Sequence, residues 1–309
     1  MIRCLRTCRV VANRHRHRLA GVPRALIFLL ALTLGGETSA EQAGAIDWLH
    51  DDSSARQQAI EAKKYLLVHL TSHQPGGRDR TFVEQTTADR RVRSRAKNFI
   101  CLRVLYDEWH PAEWGLELSS GFLSVDRLRS SPGLVVIDFC DHSRPTYGQV
   151  VGWLPFEKPA YYAAEYESAA SVATFLDLPC GSLTQRMLIY AIRVHPERPE
   201  STSGTSSPAL VGAAAAHAQR QARAQRQGHQ RWDQRFHEIW RSVGGKPPVE
   251  ICAESWPEES LLTACLGCVH AWRQSAGHWR AVISGHASFG YDIYRGKNGI
   301  WYATGILGG

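Results

Sequence analysis

Two cysteines near the C-terminal end of the chain have the spacing of a reactive pair. Residues 265–279 read CLGCVHAWRQSAGHW, which opens with Cys265 and Cys268 in a Cys-x-x-Cys arrangement. Such a pair can exchange a disulfide or bind a metal, and it attaches a c-type haem when a histidine follows directly. Val269 occupies that position and His270 comes one residue later, so the haem hypothesis fails.

The residues around the pair favour the interior of a helix over a redox centre. A reactive Cys-x-x-Cys follows a strand and lies at a helix N-terminus, which lowers the pKa of the thiol. Here apolar side chains recur at helical spacing through the pair, and the residues 257–259, PEE, form a good helix start. We predict that Cys265 and Cys268 lie in the core, and one of them could instead form a disulfide with Cys252.

The N-terminal segment predicts export. Residues 1–40 hold seven arginines and one acid, followed by the apolar run 25–34 and then small residues, which is the order of a signal peptide. The apolar run is half the length of a membrane-spanning helix, so no permanent membrane span is expected. We therefore expect a periplasmic or extracellular protein, and disulfides among its six remaining cysteines would be allowed there.

Most of the formal net charge of +7 belongs to this N-terminal segment. The remaining chain is close to neutral. Nucleic-acid binding requires a basic surface that neutralises phosphates. The charge distribution therefore excludes a nucleic-acid partner.

The segment 45–178 predicts an alternation of helices and strands. A helix is expected from Asp51 or Asp52 to about Lys64, another over 80–99 and a last one over about 159–175. The predicted strands between them are rich in β-branched and aromatic residues. They cover 65–70, 99–107, 133–139 and 146–154.

This order resembles the thioredoxin fold, on the residues KKYLLVHLTSH, FICLRVLYDE and SSPGLVVIDF. The resemblance implies an α/β domain in which the strand 65–70 lies between the strands that carry Cys101 and Cys140. It also implies a cis-proline at Pro132. The family's redox chemistry needs Cys-x-x-Cys after the first central strand, but residues 71–79, TSHQPGGRD, contain no cysteine. We expect a redox-inactive binding or scaffold domain over residues 41–180.

The segment 181–309 predicts a second, α+β domain. Helices are expected over 182–195 and 208–226, and the strands FGYDIY and GIWYATG form a hairpin around Asn298 and Gly299, which tolerate positive φ. Three tryptophans are expected to pack in the core of this domain. They are Trp256, Trp272 and Trp279.

Four motifs in this segment occur in a recognisable order: Gly228–His229, AES at 253–255, WRQSAGHW at 272–279, and the closing hairpin. Together they resemble the CAP superfamily of cysteine-rich secretory, antigen 5 and pathogenesis-related proteins, in its bacterial form. The resemblance implies an α-β-α sandwich with a cleft that contains histidines and acids.

Carried over to this chain, the resemblance implies a site formed by His229, Glu254 and His278. Two imidazoles and a carboxylate suit a divalent metal such as zinc, with a position left open for water. Arg235 is expected to pair with a carboxylate, either Glu254 or Asp292. The further glutamate that larger family members carry before the second histidine is absent, because HAWRQS occupies that place.

Three functions are compatible with these residues. The first is an exported binding or scaffold protein, whose cleft takes a divalent metal or small ligand and whose partner is a protein, a lipid or a cell-envelope component. No complete acid–base set is present, so no catalytic residue is assigned and an enzyme is not favoured. The alternatives are a metal-dependent hydrolase with Glu254 as base, and a thiol redox protein that uses Cys265 and Cys268.

Overall fold

Two four-stranded sheets, each with helices packed against it, form the described part of the protein. The structure is a computed structural model and describes residues 45–110, 128 and 131–308. The predicted signal peptide, 1–40, lies outside these residues. The protein is of the mixed α/β class, and below its N-terminal half means residues 45–180 and its C-terminal half means 181–308.

The first sheet has the strand order β2-β1-β3-β4. Its central strand pairs in parallel with β2 on one side and antiparallel with β3 on the other, and β3 pairs antiparallel with β4. The prediction that the strand 65–70 lies between its two neighbours is confirmed. The strands are β1 (Tyr65–Thr71), β2 (Phe99–Leu105), β3 (Gly133–Asp138) and β4 (Val150–Pro155).

The helices of the N-terminal half are shorter than the sequence predicts. The helix expected over 80–99 is interrupted, because the Asp89 side chain accepts a hydrogen bond from Arg91 N and starts a new helix. The last helix begins only after Ser168, which caps it in the same way. The elements are α1 (Asp52–Ala62), α2 (Gly77–Glu84), a 3-10 turn (Thr86–Ala88), α3 (Arg90–Ala96) and α4 (Ala169–Leu176).

Pro132 differs from the expectation of a cis-proline. No peptide bond between described residues is cis, so the Ser131–Pro132 bond is trans. Pro132 leads directly into β3, and its carbonyl accepts a hydrogen bond of 2.8 Å from Phe156 N next to β4. This extended entry into the sheet is compatible with the trans form, which is the lower in energy for an X–Pro bond.

The second sheet has the strand order β5-β7-β8-β6. The predicted hairpin is confirmed, since β7 and β8 pair antiparallel around Asn298 and Gly299. The strands are β5 (Thr205–Ser206), β6 (Val249–Glu254), β7 (Ser288–Arg295) and β8 (Trp301–Gly308). The helices are α5 (Leu183–Arg193), α6 (Pro208–Ala224), α7 (Trp232–Val243), α8 (Leu261–Gln274) and α9 (Ala276–Ile283).

Helices cover both faces of this second sheet. On one face α6 lies so close that a Cβ at Gly290 would stand 2.2 Å from the backbone of Leu210, so only glycine fits there. Tyr291 points to the opposite face, because neighbouring residues of a strand alternate, and its ring meets Trp272 of α8. The sheet is therefore the middle layer of three.

The three cysteines with a predicted structural role are buried free thiols. Cys252 lies in β6, while Cys265 and Cys268 lie in α8. Burial raises the pKa of both helical thiols. The predicted start of this helix at Pro257 is wrong, because Glu258 has a φ of 61° and the helix is capped by Ser260.

One cluster of buried apolar residues extends across both sheets. Helix α5 contributes to it because it packs against β4 of the first sheet and against β7 and α8 of the second half. Trp272 and Trp279 are buried, as predicted. The prediction for Trp256 is wrong, because its side chain is 73% exposed.

Candidate functional site: two histidines beside a buried carboxylate

The fold brings His229 and His278 together although 49 residues separate them in the sequence. His229 lies in the short loop between α6 and α7, and His278 lies in the first turn of α9. Their ring centroids are 5.8 Å apart, with 43° between the ring planes. The His278 ring is half-buried and His229 is exposed, so both remain reachable from solvent.

Glu250 is the carboxylate that contacts this histidine pair. Its Oε1 atom lies 3.1 Å from Nδ1 of His229, and both of its oxygens accept hydrogen bonds from Arg235, at 2.5 and 2.9 Å. Burial alone would raise the pKa of the Glu250 carboxyl, yet the hydrogen bonds from His229 and Arg235 bring this pKa below its usual range. Glu250 is therefore ionised at neutral pH and acts only as an acceptor.

The ionised carboxylate determines the proton position on His229. Nδ1 must carry the proton that it donates to Glu250, which leaves the lone pair of a neutral ring on Nε2. On the other ring, partial burial and the nearby His229 lower the pKa of His278. The lowered pKa favours the neutral form of His278, which is the form that binds metal ions.

A second group of possible ligands lies deeper in the same region. His217, Glu250 and Cys252 are all buried and offer ligand atoms within 4.8 Å of one another, so this group could hold a metal ion. Its members are already engaged, however. His217 Nε2 donates to the carbonyl of Gly228 at 2.9 Å, and Arg235 occupies both oxygens of Glu250.

The deep group also orders the loop that carries His229. His217 holds the carbonyl of Gly228, and Gln221, one turn further along α6, accepts from Gly228 N at 2.9 Å. Burial and the charge of Glu250 raise the pKa of the Cys252 thiol, which keeps it protonated. In this arrangement the group acts as a hydrogen-bonded frame that positions His229.

Glu254 and Arg235 have different neighbours from those expected. Glu254 lies on the same face of β6 as Glu250, because it is four residues further along the strand, but it is exposed and lines a separate cavity with Trp256 and His270. Arg235 pairs with Glu250 and with neither Glu254 nor Asp292. The sequence analysis predicted no strand here and missed Glu250, although the even spacing of Glu250 and Glu254 was a usable signal that both lie on one face of a strand.

The N-terminal half contains a different polar cluster, formed by residues of β1, α2 and β2. His69 of β1 and Asp79 of α2 are joined by a bond of 2.9 Å, and Thr71 donates to the second oxygen of Asp79 at 2.8 Å. On the other side of the ring, Arg103 of β2 donates to Nδ1 of His69 at 3.1 Å. Both ring nitrogens are thus engaged, and His69 is 0% exposed.

No family model matches the chain, and no curated protein or solved structure matches it significantly. Among the described residues, no helix combines the length and the apolar character needed to cross a bilayer.

Proposed function

We propose that the protein is an exported binding protein whose His229 and His278 form a site for a divalent metal ion or a small ligand. The observation that carries this proposal is the convergence of the two rings beside a carboxylate that occupies Nδ1 of His229. Metal-binding histidines commonly donate their second ring N–H to a carboxylate, which fixes the tautomer and the orientation of the ring. His229 has this arrangement with Glu250.

The donor set fits an ion such as zinc, which favours imidazole nitrogen. Two imidazoles supply two of the four positions of a tetrahedral zinc site, and water or atoms of a bound ligand would take the others. An ion bound there supplies Lewis acidity. The chain's own contribution is to hold His229 through Glu250 and Arg235 and to lower the pKa of His278, which favours its neutral ring.

The two halves support the proposed architecture of a redox-inactive thioredoxin-like domain, 41–180, and a CAP-like domain, 181–309. The strand order β2-β1-β3-β4 with one parallel pair supports the first resemblance, and the three-layered second half supports the other. Because the His69–Asp79 cluster replaces a reactive cysteine pair, we assign the N-terminal half a scaffold role. The partner would be a protein, a lipid or a component of the cell envelope.

The two alternative functions lack comparable support. A hydrolase that uses Glu254 as base requires this carboxylate to reach water bound at the histidine pair, and Glu254 instead lines the cavity around Trp256. A redox role for Cys265 and Cys268 requires accessible thiolates. Both thiols are 0% exposed, and burial raises their pKa.

Zinc titration of the purified protein by calorimetry tests the proposal. His229→Gln and His278→Gln should each weaken binding by more than about 100-fold, because each removes one of two nitrogen ligands. His237→Gln, on the exposed face of α7, is the matched control and should leave binding unchanged.

A Cys252→Ser variant separates the open pair from the buried group. Unchanged zinc binding in this variant agrees with the proposal. Loss of binding in Cys252→Ser with retention in His278→Gln would assign the ion to the buried group instead. Chelator-sensitive turnover of peptide or ester substrates by the zinc-loaded protein would favour the hydrolase.

A further inference from the structure

Trp256 borders a cavity that lies between the two halves of the protein. The cavity has a volume of about 570 Å³, which falls within the range of small-molecule sites. Tyr161 of the N-terminal half forms one wall, and the others come from β6, the loop after it, α8 and Ile300 of the β7–β8 turn. The Trp256 side chain is 73% exposed, so it offers a large aromatic surface that a ligand in the cavity can cover.

The walls of this cavity combine aromatic rings with negative charge. Its lining contains the Glu254 carboxylate but neither lysine nor arginine. Its one histidine, His270, contacts the side-chain amide of Gln274 through Nε2 at 2.9 Å. Glu259 adds a second acid beside the cavity, where its Oε1 accepts from the Tyr161 hydroxyl at 2.8 Å.

The negative potential extends into the neighbouring helix. Burial is the largest cause that raises the pKa of Cys268 in α8, and the charges of Glu259 and Glu254 come next. Burial and the hydrogen bond to Glu259 likewise raise the pKa of Tyr161 to about 12. The cavity is thus an aromatic cleft with the Glu254 carboxylate at its edge.

The aromatic wall is held in place by the backbone around it. Tyr161 has a φ of 52°, a conformation that non-glycine residues adopt only where the surroundings impose it. Its ring stacks on His270 with centroids 5.4 Å apart. A Cβ at position 267 would lie 2.9 Å from the Tyr161 hydroxyl, so Gly267 lets this ring rest directly on α8.

We propose that this cleft binds an organic ammonium ion, with the cation against the rings of Trp256 and Tyr161 and its charge balanced by Glu254. Aromatic faces attract cations through the ring quadrupole, and quaternary ammonium groups are the ligands that aromatic cages of this kind recognise. The carboxylate adds Coulomb attraction and disfavours anions. This site is independent of the histidine pair and goes beyond the proposed metal function.

Choline and its neutral isostere 3,3-dimethylbutanol are the probes that test the proposal. Each is titrated into the full chain in the presence of chelator, with tryptophan fluorescence and calorimetry as readouts and sodium chloride matched throughout. Choline should bind at least about tenfold more tightly than the neutral isostere, because only choline carries the charge. Equal binding of both, or binding of neither, would overturn the proposal.

Variants assign the binding to this cleft. Trp256→Ala and Glu254→Gln should each weaken choline binding about tenfold, and since both side chains are exposed the fold should persist. Trp256→Phe should retain most of the affinity, and Trp240→Ala, at another partly exposed tryptophan, should change nothing. Unchanged choline binding in Trp256→Ala would contradict the proposal, and His278→Gln, which abolishes only the metal site, should bind choline normally.

Discussion

Each half of the protein contains a histidine bonded to a buried carboxylate, with an arginine beside the pair. In the N-terminal half, His69 is fully buried, and both of its ring nitrogens are engaged by Asp79 and Arg103. In the C-terminal half, the His229 side chain is 42% exposed, and its contact with Glu250 uses one nitrogen only. The same residue types are therefore sealed from solvent in one half and leave a ring nitrogen accessible in the other.

The position of each pair in its sheet explains the difference. His69 belongs to β1, an inner strand, so α2 on one side and β2 on the other cover the ring. Glu250 belongs to β6, the edge strand of the second sheet, and His229 reaches it from a loop. An inner strand leaves no room for a ligand, whereas the edge strand leaves His229 next to solvent.

Removing the buried acid should give the largest effect and would test the structural role of the N-terminal pair. Asp79→Ala leaves His69, Thr71 and Ser72 without their acceptor, and we expect the free energy of unfolding to fall by about 3–5 kcal/mol. Urea denaturation measures this change. His229→Ala, at the exposed ring, should cost less than about 1 kcal/mol. Similar losses in both variants would remove the distinction between the pairs.

An intermediate effect is expected from Glu250→Gln. The amide keeps the shape of the side chain but loses the charge that orients His229 and binds Arg235. We expect zinc affinity to fall about 10–100-fold, as when other carboxylates that orient a metal-binding histidine are replaced, and the free energy of unfolding to fall by about 1–3 kcal/mol. Glu238→Gln, on the exposed face of α7, is the control. Unchanged zinc affinity in Glu250→Gln would show that the carboxylate does not orient the ligand.

The smallest effect concerns pH. The pKa of His278 is lowered in the folded protein, mainly by partial burial, so this ring stays neutral while the same ring in the unfolded chain takes up a proton below about pH 6.5. Stability should therefore decline slightly as the pH falls below 6.5, by less than about 1 kcal/mol from this group because of solvent screening. His278→Gln should flatten the pH profile of urea unfolding by that amount. If stability depended more steeply on pH in the variant, the pKa of His278 would be raised by folding and not lowered.

Much of the secondary structure followed from local patterns. The predictions of the strand 65–70 and of the hairpin around Asn298 were correct, because a short apolar run and turn chemistry act over a few residues. The helix starts at Pro257 and near residue 159 were wrong, since Ser260 and Ser168 cap the helices later in the chain. A good capping side chain outweighs the composition of the residues before it.

The sequence by itself identified two histidines that the fold brings together, because each follows a glycine in a short motif that can be recognised without the structure. It determined equally that residues 71–79 hold no thiol. Only the tertiary structure decided that Glu250 is the acid beside His229, that Trp256 faces a cavity, and that His69 is sealed in the core. These outcomes depend on which strand lies at a sheet edge and which helix covers it, and such packing involves residues far apart in the chain.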